Sequence, residues 1–274
     1  MAPIWVFDPV AFVIPGVGWP VRYYGIIFGC VLVAGFLFFR WQAVRAGRPE
    51  DEAYAFVAPG ALGVLLGARL GHVLFYNFDR FLHDPAWMIR VWDGGLASHG
   101  ATLGLILALW LFSRRWKRPF WDTCDRFSFS AAFGAAMVRL GNFLNSEIVG
   151  KVTDGPFGVR FPGYDRLPAE FTPARYPSQL AEFGLGLAIL GVLLWLDRRL
   201  GREKRPRGAL SAAFLILYFS GRFLVEFIKE RHGAADDFIL SRGQLLSLPG
   251  ILLGVLLLRR ILKQRRAAAP GGRG

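Results

Sequence analysis

The chain has 274 residues, of which 54% are hydrophobic, 15% aromatic and 19% charged, so it is too apolar to be disordered and slightly too apolar for an ordinary soluble domain. In a soluble protein, a net charge of +13 would suggest binding to nucleic acid. In so apolar a chain it first indicates basic loops that lie beside an anionic membrane surface. The two cysteines lie in or beside apolar runs, which excludes a disulfide framework and a cysteine-rich metal site.

Charged residues are clustered, and seven long intervals between the clusters are nearly free of charge. A helix needs about 20 mainly apolar residues to cross the hydrocarbon layer of a membrane. A buried soluble helix could imitate one such run, but not seven in a chain of this length. The sequence therefore predicts an all-α integral membrane protein with about seven transmembrane helices. In chain order, the segments are 23–39, 53–68, 94–113, 127–146, 176–196, 208–228 and 243–258.

Lysine and arginine are distributed unevenly between alternate loops. The loops that follow the first, third, fifth and seventh segments hold 18 of them, and the other loops hold nine. By the positive-inside rule the richer set is cytoplasmic, which predicts an N-terminus outside and a cytoplasmic C-terminus. Residues 1–20 lack the basic start of a cleavable signal peptide, so we expect a short outer amphipathic segment there.

Residues 1–266 are predicted to form a single polytopic membrane domain. Within it, residues 148–175 are dense in glycine and proline and predict a small irregular periplasmic cap. Residues 267–274 are of low complexity and predict a disordered cytoplasmic tail.

Several ionisable residues remain inside the predicted spans. Each costs about 2.5 to 3.5 kcal/mol at a helix centre, so such a residue is usually paired or functional. Arg222 and Glu226 are four residues apart on one helical face, which fits either a mutual ion pair or a direct role. Arg69 lies near the outer end of the second span, where we expect its side chain to snorkel toward the interface.

A histidine stands in a glycine-rich setting at the start of the third segment. His99 occurs in DGGLASHGATLG, where the glycines allow a backbone or a ligand to approach closely. A buried histidine is often only a hydrogen-bonded core residue, but this setting favours a functional one.

The densest group of polar residues is VRLGNFLNSEIVG, residues 138–150. Arg139, Asn142 and Asn145 follow one another at intervals of three, which places them along one stripe of a helix, and Glu147 follows. A guanidinium suits bidentate capture of a phosphate, and the amides can bond ester or hydroxyl groups. Interhelical polar contacts would explain either asparagine alone but not the whole set.

Six stretches between residues 67 and 249 carry a resemblance to a known family. They are GARLGHVLFY, GGLASHG, RLGNFLNSE, RYPSQL, GRFLVEF and SRGQLLSLP. Over nearly its whole length the chain resembles the prolipoprotein diacylglyceryl transferases of the bacterial inner membrane. The resemblance implies an enzyme that moves the diacylglyceryl group of phosphatidylglycerol to the lipobox cysteine thiol of a preprolipoprotein, forming a thioether and releasing glycerol phosphate. The implied partners are phosphatidylglycerol, lipobox signal peptides and the bilayer, and no nucleic acid.

The resemblance also implies the functional positions. Arg139 and Arg222 are suited to neutralise the phosphate as the C–O bond breaks. His99 is the candidate base for the thiol, although two nearby guanidiniums could lower the thiol pKa without a dedicated base. No metal or cofactor is implied, because the few histidines are scattered. The positions expected at an active site on the periplasmic side are Tyr24, His99, Arg139, Asn142, Asn145, Glu147, Gly150, Arg222 and Glu226.

Two other classes of protein fit part of the pattern. A transporter or channel would explain charges inside the membrane, but it is expected to place them through the midplane of several spans, whereas most charges here fall toward the outer ends. A noncatalytic lipid-binding scaffold would explain the phosphate-suited cluster without needing His99. Lipid transfer to a lipobox peptide separates the first interpretation from both.

Overall fold

The computed structural model describes residues 2–90, 94–230 and 239–268. The chain divides into two compact units. Unit 1 contains the residues up to Gly35 together with those from Phe127 onward, and unit 2 is Phe36–Arg126. Both divisions fall within long helices, Tyr23–Arg45 (α1) and Phe120–Leu144 (α5).

Each of the seven predicted apolar segments overlaps one helix. Besides α1 and α5, the longer helices are Glu50–Tyr76 (α2), Ser98–Arg115 (α4), Ser178–Arg199 (α7), Ala209–Val225 (α8) and Arg242–Ala268 (α9). Two helices are short, Phe78–His83 (α3) and Pro162–Asp165 (α6), and single 3-10 turns occupy Pro85–Ile89 and Arg202–Lys204.

Five of the described helices, α1, α2, α5, α7 and α9, are long and apolar enough to cross a membrane. The helix α8 is apolar but has 17 residues, and the 18 residues of α4 include His99 and two final arginines. The third and sixth predicted segments are longer than α4 and α8, because each includes residues outside the helix. Residues 94–97 precede α4, and residues 226–228 form a turn after α8. A mostly helical protein with several candidate spans is confirmed, and the count of seven spans stays a prediction.

Unit 1 contains two small sheets that the all-α prediction did not include. Strands Val10–Val13 (β1) and Pro20–Arg22 (β2) pair antiparallel, so the predicted outer amphipathic segment includes a hairpin. Strands Val159–Arg160 (β3) and Ala174–Arg175 (β4) also pair antiparallel, within the loop predicted to be irregular. The glycines and prolines of that loop interrupt its strands, so they remain two residues long.

A small apolar core fixes this part of unit 1. It consists of Phe143, Val149 and Phe161, and Trp5 packs against it. The indole N–H of Trp5 donates to the carbonyl of Phe143 at 3.1 Å. The N-terminal residues are thereby attached to the C-terminal end of α5, where the polar cluster of residues 139–147 begins.

Unit 2 depends on close contact between α2 and α4. A Cβ added at Gly104 would lie 1.9 Å from the carbonyl oxygen of Gly63, and one added at Gly100 would lie 2.1 Å from that of Gly67. These small residues at intervals of four let the two backbones touch, as in packed membrane helices. The contact fixes the start of α4, which carries His99.

The helix α9 extends to Ala268, so the first two residues of the predicted tail are helical. Residues 269–274 lie outside the described part of the chain.

Candidate functional site

One carboxylate in unit 1 is approached by three cations from different segments. Glu182 of α7 lies 3.1 Å from Nε of Arg139 on α5 and 4.0 Å from Nη1 of Arg222 on α8. The ammonium of Lys229 lies 3.5 Å from the same carboxylate. The Glu182 side chain is only 6% exposed, so these cations offset its desolvation. The region between the three cations therefore stabilises an anion.

Lys229 has a second carboxylate beside it. Its Nζ lies 3.6 Å from Oε2 of Glu226. Burial lowers the pKa of Lys229, and the positive charges of Arg139 and Arg222 act in the same direction, while Glu182 and Glu226 act in the opposite one. The lysine lies after the end of α8, on a backbone that bridges to Gly150.

The spacing of Arg222 and Glu226 left a mutual ion pair and a direct role open, and the structure does not have the ion pair. Arg222 is directed to Glu182 on α7, and Glu226 has Lys229 as its ion partner. Both residues therefore belong to one charge cluster, although they do not satisfy each other. Close packing holds Glu226 there, since a Cβ added at Gly243 would lie 2.3 Å from its carboxylate carbon.

The polar stripe predicted from residues 139–147 is present as a connected set. Nη1 of Arg139 donates to Oδ1 of Asn142 at 3.3 Å. The amide of Asn142 donates to Glu147 at 3.4 Å, and the amide of Asn145 donates to the other oxygen of Glu147 at 3.3 Å. Because α5 ends at Leu144, the stripe runs from a helix face into the turn that follows it.

Gly150 occupies a crossing of three backbone segments. Its N–H donates to the carbonyl of Tyr176 at 2.8 Å, and the next N–H, of Lys151, donates to Ile228 at 2.9 Å. A Cβ at Gly150 would lie 2.6 Å from both of those carbonyl oxygens, so only glycine fits. This crossing joins the end of the polar stripe to the segment that carries Lys229.

Two buried side chains from the start of α7 support the turn after α5. Nε2 of Gln179 donates to the carbonyl of Glu147 at 2.7 Å, and the hydroxyl of Ser178 donates to the carbonyl of Ile148 at 3.0 Å. These bonds fix the backbone of Glu147 beside the helix that carries Glu182.

Tyr24 lies at the start of α1 against the same stripe. A Cβ added at Gly141 would lie 2.7 Å from the Tyr24 ring, so the ring packs directly on the α5 backbone. An open cavity of about 620 Å³ lies beside it, lined by Trp19, Pro20, Val21, Arg22, Tyr24, Gly25 and Asn145. The cavity brings aromatic and apolar groups of the hairpin next to an amide of the polar stripe.

His99 belongs to unit 2, at the first turn of α4. The hydroxyl of Tyr76 lies 3.0 Å from its Nε2, and the ring of Phe75 packs edge-on at a centroid distance of 6.2 Å. His99 is exposed rather than buried. The structure thus brings together eight of the nine predicted positions within unit 1, and places His99 in the other unit with aromatic neighbours of its own.

Arg69 does not snorkel as predicted. The residue is 3% exposed, and its guanidinium donates to the carbonyls of Trp87 at 2.6 Å and Arg90 at 2.9 Å. It also donates to Met88 and to Gly94 and Gly95, and it lies over the Trp87 ring. Loop carbonyls satisfy the charge inside the unit, so the side chain does not need to reach water.

Three contributors to the cluster were absent from the predicted set. They are Glu182, Lys229 and Gln179, the last of which lies in the RYPSQL stretch. Glu182 carried a signal, since it is the one charge in segment 176–196. Within the described ranges, no group of three His, Cys, Asp or Glu side chains is placed to hold a metal ion.

Comparison with known proteins assigns the chain to a family. The sequence model described as "Prolipoprotein diacylglyceryl transferase" matches residues 9–260. A phosphatidylglycerol–prolipoprotein diacylglyceryl transferase of Pasteurella multocida (strain Pm70) is 40% identical over 262 residues, which is 92% of this chain and 91% of the relative. Proteins of the same name from Mannheimia succiniciproducens and Vibrio cholerae are 38% and 39% identical, and cover 96% of this chain and 95% and 96% of their own lengths. These matches support the transferase interpretation over the transporter and the scaffold. The chain belongs to the prolipoprotein diacylglyceryl transferase family.

Proposed function

We propose that the protein transfers the diacylglyceryl group of phosphatidylglycerol to the lipobox cysteine thiol of preprolipoproteins and releases glycerol phosphate. The observation that carries this proposal is the convergence of Arg139, Arg222 and Lys229 on the single carboxylate of Glu182. A site that stabilises one buried anion with three cations is suited to a lipid phosphate. The names of the relatives support the same substrate class.

The two arginines have different tasks in this scheme. The Arg139 guanidinium already contacts a carboxylate through Nε and an amide through Nη1, and its fork geometry suits two phosphate oxygens. Arg222 is more exposed, at 25% of its side chain, and can reach the phosphate from the opposite helix. Together they neutralise the charge that grows on the phosphate oxygen as the C–O bond breaks.

The amide stripe and Tyr24 orient the rest of the lipid in the proposal. Asn142 and Asn145 donate to Glu147, and an amide held in this way can offer its remaining groups to glycerol hydroxyls or esters. The apolar side chains that line the cavity beside Tyr24 can contact the acyl chains close to the ester bonds that join them to the glycerol.

His99 is proposed to accept the thiol proton. A base needs an unprotonated ring nitrogen, and Nε2 already faces the Tyr76 hydroxyl at 3.0 Å. The role is consistent with the tautomer in which Nε2–H donates to the tyrosine oxygen and Nδ1 takes the proton. The thiolate sulfur then attacks the glycerol carbon, the C–S bond forms, and the C–O electron pair leaves with the phosphate.

The proposed setting is the bacterial inner membrane, with seven spans, the N-terminus outside and the active site on the periplasmic side. The uneven distribution of 18 against nine basic loop residues supports this orientation. Reporter tags after Gly274 and within residues 201–207 should be cytoplasmic, and a tag at Gly163 should be periplasmic. A cytoplasmic tag at Gly163 would overturn the orientation.

The function is tested with the full-length protein in liposomes. Phosphatidylglycerol vesicles should yield a thioether-linked diacylglyceryl peptide from a synthetic lipobox peptide, detected by mass spectrometry. A matched peptide with serine in place of the cysteine, and vesicles of phosphatidylethanolamine alone, should yield none. Absence of product from the cysteine peptide with correctly folded protein would contradict the proposal.

A further inference from the structure

The charge cluster around Glu182 has one more cation than carboxylates. Arg139, Arg222 and Lys229 carry three positive charges, and the two carboxylates in ionic contact with them are Glu182 and Glu226. The formal charge of this five-residue group is therefore +1. A phosphodiester carries one negative charge, which is equal and opposite to that of these five residues; Glu147, joined to Arg139 through Asn142, is not counted among them.

The reaction changes that balance. Breaking the C–O bond turns a phosphodiester into a phosphate monoester, whose charge at pH 7 is about −1.5 to −2. The additional negative charge forms only as the bond breaks. A cation that stabilises it accelerates the chemical step without strengthening binding of the lipid.

We infer that Lys229 stabilises the second negative charge that forms on the glycerol phosphate leaving group. This inference rests on the proposed transfer reaction. Lys229 lies 3.5 Å from Glu182 and 3.6 Å from Glu226, and both distances exceed the roughly 2.7–2.9 Å of a tight charge-assisted hydrogen bond. Its ammonium is a rotatable point charge, so it can turn from two loose carboxylate contacts toward a phosphate oxygen.

The backbone that carries Lys229 is firmly placed. Lys229 bridges to Gly150, the N–H of Lys151 donates to Ile228 at 2.9 Å, and the N–H of Glu230 donates to Val149 at 3.2 Å. The lysine is therefore fixed beside the turn that carries Glu147, and only its side chain needs to move.

In the balanced step, the thiol proton goes to the base, the C–S bond forms, and the C–O electron pair stays on the phosphate oxygen. Lys229 keeps its proton throughout and contributes charge. An arginine at the same position therefore retains the function, whereas a neutral side chain does not.

Three variants test the inference in the liposome assay. Lys229→Met should lower kcat about 100-fold, the scale of removing one group that stabilises transition-state charge, with the KM for phosphatidylglycerol changed less than about threefold. Lys229→Arg should recover at least a tenth of the wild-type kcat. Lys151→Met is the matched control, because Lys151 is an exposed lysine on the adjoining segment, and its kcat should equal that of the wild type.

A wild-type kcat in Lys229→Met, or a loss confined to KM, would overturn the inference and leave the transferase proposal intact. Absence of transfer by the wild type would contradict the transferase proposal itself. The two failures are therefore distinguishable.

A second measurement needs no variant and so does not depend on whether Lys229→Met folds. Glycerol phosphate, a dianion, should inhibit the wild type at least about tenfold more strongly than its methyl diester, a monoanion of similar size. The cluster would then favour the charge of the leaving group over that of the substrate. Equal inhibition by the two compounds would contradict the role assigned to Lys229.

Discussion

Replacing Arg139 with lysine tests whether the guanidinium fork, rather than positive charge alone, holds the phosphate. In the structure Arg139 contacts Glu182 through Nε at 3.1 Å and Asn142 through Nη1 at 3.3 Å. A lysine ammonium can retain the ion pair, but a single point charge cannot keep both directions at once. The variant therefore preserves charge and loses one charge-assisted hydrogen bond.

The size of the effect follows from that single bond. A hydrogen bond to a charged group contributes about 1.5 to 3 kcal/mol, and each 1.36 kcal/mol corresponds to a factor of ten in rate. Arg139→Lys should therefore lower kcat/KM by roughly 10- to 150-fold. The loss should not be accompanied by unfolding, because the partly exposed side chain keeps its ionic contact with Glu182.

The assay is lipid transfer to a lipobox peptide in phosphatidylglycerol liposomes, with the amount of folded protein measured for each variant. Arg40→Lys is a matched control, because Arg40 forms a two-pronged contact with Glu50 at 3.1 and 2.7 Å on an exposed surface. It should retain wild-type kcat/KM. If Arg139→Lys also turns over at the wild-type rate, simple electrostatic attraction is sufficient and the fork assignment is wrong.

Three further predictions concern unit 2. His99→Gln should lose transfer most strongly at low pH and recover as pH rises toward the thiol pKa of about 8.5, where thiolate forms unaided; a deficit independent of pH would eliminate the base role. Gly104→Ala should lower the free energy of unfolding by about 1 to 3 kcal/mol, because the added methyl group overpacks against Gly63. Gly184→Ala is the control, since a Cβ there has open space and should not destabilise the protein. Thermal denaturation in detergent compares the two variants, and equal stability would contradict the close contact of α2 and α4. Arg69→Met leaves several buried loop carbonyls without a donor, at a cost of about 1 to 3 kcal/mol for each unsatisfied group. The melting temperature of this variant should therefore fall clearly below that of the wild type. An unchanged melting temperature would show that water replaces the guanidinium.

Local spacing predicted the part of the site that lies on one helix. Arg139 and Asn142 are three residues apart, so helical geometry alone brings them together, and the structure has the bond between them. For Arg222 and Glu226 the same reasoning left a mutual ion pair and a direct role open, and the structure has no ion pair between them. Arg222 instead contacts Glu182 on α7. Contacts between helices depend on tertiary packing, which the spacing of residues along one helix does not reveal.

Residues outside the apolar segments were the hardest to interpret. Lys229 follows α8 and has the sequence appearance of an ordinary loop lysine, yet the crossing at Gly150 brings it to the charge cluster. Arg69 was predicted to reach the interface because nothing in the sequence shows where five loop carbonyls will lie. Hydropathy also placed the start of the third segment before α4 and the end of the sixth segment beyond α8, since glycine-rich and turn residues can be apolar without being helical.

The central claim is tested most directly by measuring both products of one reaction. Phosphatidylglycerol labelled separately in its diacylglyceryl part and in its headgroup glycerol is presented in liposomes with the lipobox peptide and the full-length protein. We expect one glycerol phosphate released for each thioether-linked peptide formed, and a loss of both products together in Arg139→Lys. Glycerol phosphate released without thioether peptide, or lipid bound with neither product formed, would contradict the account.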